Sequence, residues 1–136
     1  MNRIEATVTA IERHDNISIV SFDADGQPMR MMALGLSLPV KNGTRVILGA
    51  KASHVALSKY LIGDISISNR LEARIESVET GTLLCSVMLR VGRTVMESII
   101  TRESAEKLEL RAGDEVTALI KASDLSIVGI AEKGHA

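Results

Sequence analysis

The segment NRIEA at residues 2–6 returns as NRLEA at residues 69–73, and KAS at residues 51–53 returns unchanged at residues 121–123. The interval between the first pair is three residues shorter than the interval between the second pair, so the copies differ in length between these segments. A repeat of this period indicates one small structural unit that occurs twice. We therefore predict a first module over 1–63, a second module over 64–131 and a tail at 132–136.

The position of the length difference can be narrowed from the sequence. Leu38 and Leu108 are separated by the same interval as the two KAS segments, and so are Gly43 and Gly113. The three residues are therefore gained or lost between Ala6 and Leu38.

The second copy has the clearer pattern of secondary structure. Alternating apolar and polar side chains predict strands over 74–78, 83–89, 94–100, 115–121 and 125–128. Residues 101–108 predict a short helix, because Thr101 can cap it and Glu103 and Lys107 form an i, i+4 pair of opposite charge. Five short strands with a helix after the third predict a small barrel of the oligonucleotide-binding-like (OB-like) kind.

The first copy follows the same plan less closely. Its strands are predicted over 6–12, 17–22 and 29–32, with a hairpin at Asp25-Gly26. At the helical position it reads ALGLSLP over residues 33–39, so this copy is interpreted as degenerate. The predicted fold class is mainly β, with two tandem OB-like five-stranded modules of order βββαββ, each with one short helix.

Composition limits the partners. A module of half this chain's length buries only ~60% of its unfolded surface, so each module needs the other or a second chain. The 136 residues carry a formal charge of −1, and Phe22 and Tyr60 are the only aromatic residues. Barrels that bind single-stranded nucleic acid stack bases on aromatic side chains along a positive groove. The sequence therefore predicts neither a nucleic-acid partner nor an anionic membrane surface.

Sequence motifs bear on localisation and catalysis. The N-terminus lacks an apolar signal run, and no stretch approaches the ~18 apolar residues of a membrane span, which predicts a cytoplasmic protein. Nucleophile motifs, phosphate-binding glycine loops and HExxH-like pairs are missing, so we predict that the chain is not an enzyme. The single cysteine, Cys85, is predicted to be a buried apolar thiol.

Metal sites are not predicted. The three histidines lie far apart without cysteine or carboxylate at ligand spacing; they are His14, His54 and His135. Three nearby methionines are interpreted as apolar strand side chains rather than as copper ligands; they are Met29, Met31 and Met32.

The second copy resembles a known family. Residues 99–105, IITRESA, and 108–123, LELRAGDEVTALIKAS, resemble the Mop domain, also called TOBE, of the molbindin family. The duplicated arrangement resembles the di-Mop form, which occurs as a stand-alone molybdate-binding protein or as the ligand-sensing half of molybdate-dependent transcriptional regulators. No helix-turn-helix region precedes the modules, so the stand-alone form is the first expectation and the regulator half is the alternative.

The resemblance implies that molybdate or tungstate binds where modules meet, for molybdenum storage, homeostasis or sensing. A small dianion can be held by backbone N–H groups, hydroxyls and one or two cations without a basic surface. Neither an organic cofactor nor a metal cation bound directly by side chains is expected. The expected oxyanion-binding residues are Ser66, Ser68, Asn69, Thr101, Lys121, Ala122 and Ser123 in the second copy, and Lys51 and Ser53 in the first.

The chain also departs from the family pattern. Where the family has Ser-Ala-Arg-Asn, residues 66–69 read SISN, so Ser68 stands at the position of an arginine ligand. In the first copy the chain starts at Met1-Asn2, which leaves only Lys51 and Ser53 as candidates. The missing arginine keeps open a third interpretation, in which the repeat is an assembly scaffold without a ligand.

Self-association is expected from the small modules and their exposed strand edges. The family resemblance implies three chains with six modules, whereas a regulator half would imply a dimer. We therefore predict a homo-oligomer, with the trimer preferred over the dimer.

Overall fold

The computed structural model describes residues 1–131, and the predicted tail at 132–136 lies outside this range. The described chain forms ten strands and one α-helix. In chain order they are β1 (Asn2–His14), β2 (Ile17–Ala24), β3 (Gln27–Leu34), β4 (Arg45–Ala50), β5 (Ala56–Ser58), β6 (Asn69–Thr80), β7 (Leu84–Val91), β8 (Thr94–Thr101), α1 (Arg102–Lys107), β9 (Glu115–Ile120) and β10 (Ser126–Ile130). The predicted strands are thus confirmed, most of them extended by a few residues.

The strands form two antiparallel sheets of five. The first sheet has the order β10-β4-β1-β2-β3 and the second has the order β5-β9-β6-β7-β8. Each sheet takes four strands from one half of the chain and its last strand from the other half. β10 pairs with β4, with Ser126 opposite Gly49, and β5 pairs with β9, with Ala56 opposite Leu119. The two halves have therefore exchanged their final strands.

The exchange requires a crossing segment after β4 and after β9. In both places the crossing begins with a short 3-10 turn, Ala52–His54 in the first half and Ala122–Asp124 in the second. These turns contain most of the repeated KAS segments. The repeat therefore has a structural meaning, since it marks the points where the chain passes from one sheet to the other.

The three-residue difference between the copies lies at α1. β3 and β8 are equivalent strands of the two copies, and so are β4 and β9. The start of β9 lies three residues further from the start of β4 than the start of β8 lies from the start of β3. The extra residues therefore lie between β8 and β9. The expectation of one short helix in each module is therefore corrected for the first. Its loop after Leu34 is three residues shorter, contains Pro39 and turns through Gly35 at a φ of 60°, which leaves no room for a helical turn.

In the second half, α1 forms as predicted. The Thr101 side chain accepts a hydrogen bond from the Ser104 N–H at 3.1 Å, and Lys107 pairs with Glu103 at 3.4 Å. At the other end, the Lys59 ammonium donates to the carbonyl oxygens of Leu108 and Glu109 at 3.0 and 3.1 Å. These contacts satisfy backbone groups that a short helix leaves unpaired. No helix within residues 1–131 is long and apolar enough to cross a bilayer.

One aliphatic core joins the two sheets. Side chains alternate between buried and exposed along the strands, so that Ile4, Ala6 and Val8 of β1 face the interior. Phe22 is 1% exposed, and Cys85 is fully buried, which confirms its interpretation as an apolar thiol. The buried residues of both halves belong to a single cluster. Each half thus completes the core of the other.

Two asparagine side chains tie the sheets together at their edges. The Asn69 carbonyl oxygen accepts from the Arg30 N–H at 2.7 Å, and its amide donates to the Arg30 carbonyl at 2.9 Å. Asn2 forms the same pair of bonds with the backbone of Glu97, both at 2.8 Å. Arg30 and Glu97 lie on the edge strands β3 and β8, so each asparagine side chain takes the place of a neighbouring strand. We call these contacts the asparagine clamps.

Removing one clamp is expected to destabilise the chain. Asn69→Ala deletes both hydrogen bonds to the Arg30 backbone, and its N–H and C=O groups then lack a partner. Because Asn69 is fully buried, this loss is expected to lower the free energy of unfolding by about 2 kcal/mol. Chemical denaturation monitored by circular dichroism measures this loss. Asn42→Ala, in an exposed turn, is the matched control and is expected to change the free energy of unfolding little. Equal effects of both substitutions would contradict a structural role of the clamp.

A second prediction concerns acid stability. The Lys59 ammonium lies 3.1 Å from the Asp114 carboxylate, and the Arg111 N–H donates to it at 2.9 Å. The hydrogen bond from Lys59, followed by that from Arg111, lowers the pKa of Asp114 below its ordinary value. A lowered carboxyl pKa stabilises the fold above the unfolded-state pKa of about 3.9, and this contribution is lost as the pH falls through the lower folded pKa.

We therefore expect Asp114→Asn to be less stable than the wild type at pH 7 and the difference to shrink towards pH 2. Urea denaturation across this pH range is the measurement. Asp64→Asn, which removes an exposed carboxylate from the connecting segment, serves as control. A stability difference for Asp114→Asn that stays constant with pH would contradict the ion pair.

Candidate functional site

A cleft of about 440 Å³ lies where the two halves of the chain meet, and we call it the junction cleft. One wall comes from the first sheet and the other from the segments before β6 and after β9. The first wall consists of Glu12, Ile19, Arg30 and Met32. The second wall consists of Ser66, Ser68, Lys121, Ala122 and Ser123.

Strand exchange positions the second wall. The 3-10 turn Ala122–Asp124 leaves the end of β9 and contacts β3 of the other sheet before β10 begins. The turn is closed by a hydrogen bond from the Asp124 N–H to the Lys121 carbonyl at 2.9 Å. The second KAS segment is thereby placed against the first half of the chain, far from it in sequence.

An asparagine clamp positions the first wall. Asn69 follows Ser68 directly and holds the backbone of Arg30 through both groups of its side-chain amide. Because these bonds use only the backbone of Arg30, the guanidinium stays free to project from the outer face of β3. Asn69 is fully buried and does not line the cleft, so its side chain holds the backbone of β3 from behind the cleft wall.

The cleft is locally positive. Arg30 and Lys121 are both exposed, and neither forms an ion pair with any residue among 1–131. Glu12 is the single carboxylate of the lining. Around these charges stand the hydroxyl groups of three serines, namely Ser66, Ser68 and Ser123. Two cations with several small donors suit a compact anion with several oxygen atoms.

The structure brings together five of the nine residues expected from the sequence. The five that line the cleft are Ser66, Ser68, Lys121, Ala122 and Ser123. Asn69 follows Ser68 directly in the sequence. Thr101 lies elsewhere, at the end of β8. Its hydroxyl oxygen accepts from the Ser104 N–H and bonds with the Ser104 hydroxyl at 2.9 Å, so in this chain it caps α1.

The remaining two residues occupy a related position. Lys51 and Ser53 belong to the first crossing, and the 3-10 turn Ala52–His54 contacts β8 as the second turn contacts β3. The two turns adjoin, because the His54 imidazole lies 3.7 Å from the Asp124 carboxylate. His54 and Asp124 are equivalent in the repeat, so this contact marks the approximate twofold axis that relates the halves.

Sequence reasoning missed the first wall of the cleft. The alternation along β3 gave a weak indication of Arg30. Its neighbours Met29 and Met31 are buried, so the Arg30 side chain must point outwards. Nothing local to β3 reveals that the KAS turn of the other half lies beside it.

Comparison with known proteins agrees with this fold. The TOBE domain matches residues 65–127. The molybdenum-pterin-binding proteins 1 and 3 of Clostridium pasteurianum are 34% and 35% identical over 65 residues, which cover 96% of each of them and 47% of this chain.

A longer protein also matches. The molybdate/tungstate import ATP-binding protein WtpC of Pyrococcus horikoshii is 28% identical over 111 residues. That alignment covers 81% of this chain but spans only 32% of the WtpC sequence.

The similarity extends to a solved structure of matching length. The cytoplasmic molybdate-binding protein ModG, crystallised with molybdate bound, superposes with a TM-score of 0.90 at 26% identity over 96% of both chains. The clostridial proteins are matched over nearly their whole length by one half of this chain, and ModG is matched by both halves. The chain therefore belongs to the molbindin family, in its form with two tandem Mop (TOBE) domains.

Proposed function

We propose that this protein binds molybdate or tungstate as the intact oxyanion in the junction cleft. The observation that carries the proposal is the convergence of Lys121, Arg30 and three serine hydroxyls on one small cleft. Molybdate is a tetrahedral dianion, so it presents four oxygen acceptors and two negative charges. A site with two cations and several hydroxyl donors matches both features without a basic protein surface.

Each lining group has a distinct part in this proposal. Lys121 supplies a mobile point charge, and Arg30 supplies a planar fork of donors. Ser66, Ser68 and Ser123 donate hydrogen bonds, and the Ala122 N–H lies on the same turn. Asn69 acts through the backbone of Arg30. Thr101 is left out, because its hydroxyl is engaged in the cap of α1.

The relatives support the choice of ligand. ModG is described as a cytoplasmic molybdate-binding protein, and WtpC as a molybdate/tungstate import ATP-binding protein. We infer a binding role without a catalytic step, in the cytoplasm, for molybdenum storage or homeostasis. Lys51 and Ser53 occupy the equivalent place beside β8, where the surrounding charges decide whether an anion binds.

We also propose that the chain works as a homo-oligomer, with a trimer as the expected state. Large apolar side chains are exposed at sheet ends, where Leu83 and Leu84 are 78% and 55% exposed. Both sheets also keep edge strands, β3 and β10 in the first and β5 and β8 in the second. Such features are usually covered by association.

Ligand binding is expected to raise the thermal stability. Molybdate at 100 times its dissociation constant stabilises the native state by about 2.7 kcal/mol, which for a chain of this size raises the midpoint by several degrees. Differential scanning calorimetry with molybdate, with tungstate and with sulfate at equal ionic strength makes the comparison. A shift with sulfate alone would contradict the choice of ligand. No shift with any of the three anions would leave the ligand-free scaffold as the better interpretation.

Two substitutions test the position of the site. Lys121→Ala removes a charge-assisted contact and is expected to weaken molybdate binding roughly tenfold or more, whereas Ser68→Arg adds a cation to the same wall and is expected to strengthen it. Isothermal titration calorimetry gives both affinities. Lys41→Ala, in an exposed loop that does not line the cleft, is the charge-matched control for Lys121→Ala. Unchanged affinity in both cleft variants would move the site elsewhere.

A further inference from the structure

The chain builds the same junction twice. The second crossing turn lies against β3, where Asn69 clamps Arg30, and the first crossing turn lies against β8, where Asn2 clamps Glu97. We call the latter place the second junction. Positions 30 and 97 are equivalent, since both lie in the third strand of their module, at the same interval that separates the two clamping asparagines.

Among the charged side chains that line the junction cleft, one changes sign at the equivalent position of the second junction. Lys121 of the junction cleft is matched by Lys51, and Glu12 is matched by Glu79. Arg30, however, is matched by Glu97. The junction cleft therefore has two cationic side chains and one carboxylate, whereas the equivalent side chains of the second junction are one cation and two carboxylates.

The Glu97 carboxylate is held in place on the outer face of its sheet. The Ser86 hydroxyl donates to it at 2.5 Å from the neighbouring strand β7. Ser86 stands at the position equivalent to Ile19, which lines the junction cleft. The second junction therefore differs in polarity as well as in charge, and its fixed carboxylate lies where the junction cleft offers a free guanidinium.

This difference matters most for a dianion. Because the ligand carries two negative charges, each unit charge of the protein interacts with it about twice as strongly as with a monoanion. Replacing a cation by a carboxylate turns that attraction into repulsion. One charge-assisted contact is worth roughly tenfold or more in affinity, and a fixed carboxylate adds repulsion to its loss. Each junction has one equivalent lysine, Lys121 or Lys51, so the lysines do not offset the difference between Arg30 and Glu97.

We propose that residues 30 and 97 decide which junction holds an oxyanion. Arg30 supplies the positive charge that Ser68 does not provide, and so completes the junction cleft. Glu97 keeps the second junction free of oxyanion, so Lys51 and Ser53 do not bind one in the wild type. The inference rests on the proposed function and adds to it a specificity-determining residue and an asymmetry between the two halves.

The experiment is isothermal titration calorimetry of the full chain with molybdate. Arg30→Gln is expected to weaken one class of sites about tenfold or more, because the guanidinium is lost while the backbone clamp is retained. Arg13→Gln removes the same charge from an exposed position of the same sheet that does not line the cleft, and is the matched control. Both arginines are exposed, so the variants are expected to unfold at the wild-type temperature.

The gain of a site is tested in the second junction. Glu97→Arg is expected to add one molybdate per chain to the wild-type stoichiometry, and Glu97→Gln to add a weaker one by removing the repulsion alone. Adding Lys51→Ala to the Glu97→Arg variant is expected to remove the gained event, which would locate it at the first crossing turn.

The outcomes separate the two proposals. If wild-type protein binds no molybdate, the proposed function fails and this inference fails with it. If Lys121→Ala weakens binding while Arg30→Gln behaves like Arg13→Gln, the junction cleft stands and the role of Arg30 is wrong. If neither substitution of Glu97 changes the number of bound anions, the charge at this position does not close the second junction.

Discussion

The exchange of the final strand between the halves is the constraint on which the rest of the structure depends. Since β5 completes the second sheet and β10 completes the first, the chain must cross between sheets after β4 and after β9. Each crossing brings a KAS turn against an edge strand of the other half. The junction cleft is therefore a product of the exchange, and neither half contains it alone.

The exchange also explains how such small units remain folded. A unit of half this chain's length buries too little surface to be stable by itself, and an edge strand invites pairing with other chains. Here each half covers an edge of the other with a strand and holds a second edge with an asparagine side chain. The same contacts that stabilise the pair of modules also shape the cleft, so stability and ligand binding should be coupled.

The most visible repeats in the sequence are the segments that build these junctions. NRIEA and NRLEA each begin with a clamping asparagine and continue as the buried and exposed alternation of β1 or β6. The two KAS segments begin the crossings. By contrast, positions 30 and 97 show no similarity, although the backbones there are held in the same way. The scaffold of the junction is the same in both halves, while its charge differs between them.

The features that could be predicted from the sequence are those set by local patterns, whereas contacts between the two halves could not be predicted. Alternation located the strands, and the Thr101 cap with the Glu103 and Lys107 pair located α1, because these signals are local. The destination of the fifth strands was not predictable, since a strand has the same pattern whichever sheet it joins. Arg30 was missed for the same reason. It resembles any exposed strand arginine until the crossing turn of the other half is placed beside it.

The overall charge of the chain is a poor guide to such a site. At physiological salt, charges more than about 8 Å apart in solvent are largely screened from one another. A formal charge of −1 therefore argues against binding an extended polyanion, which needs many cations over a long surface. It says little about a compact dianion, which senses only the few groups that line its cleft. What decides binding is the local balance set by residues such as Arg30 and Glu97, and that balance becomes visible only when strand exchange shows which residues face each other.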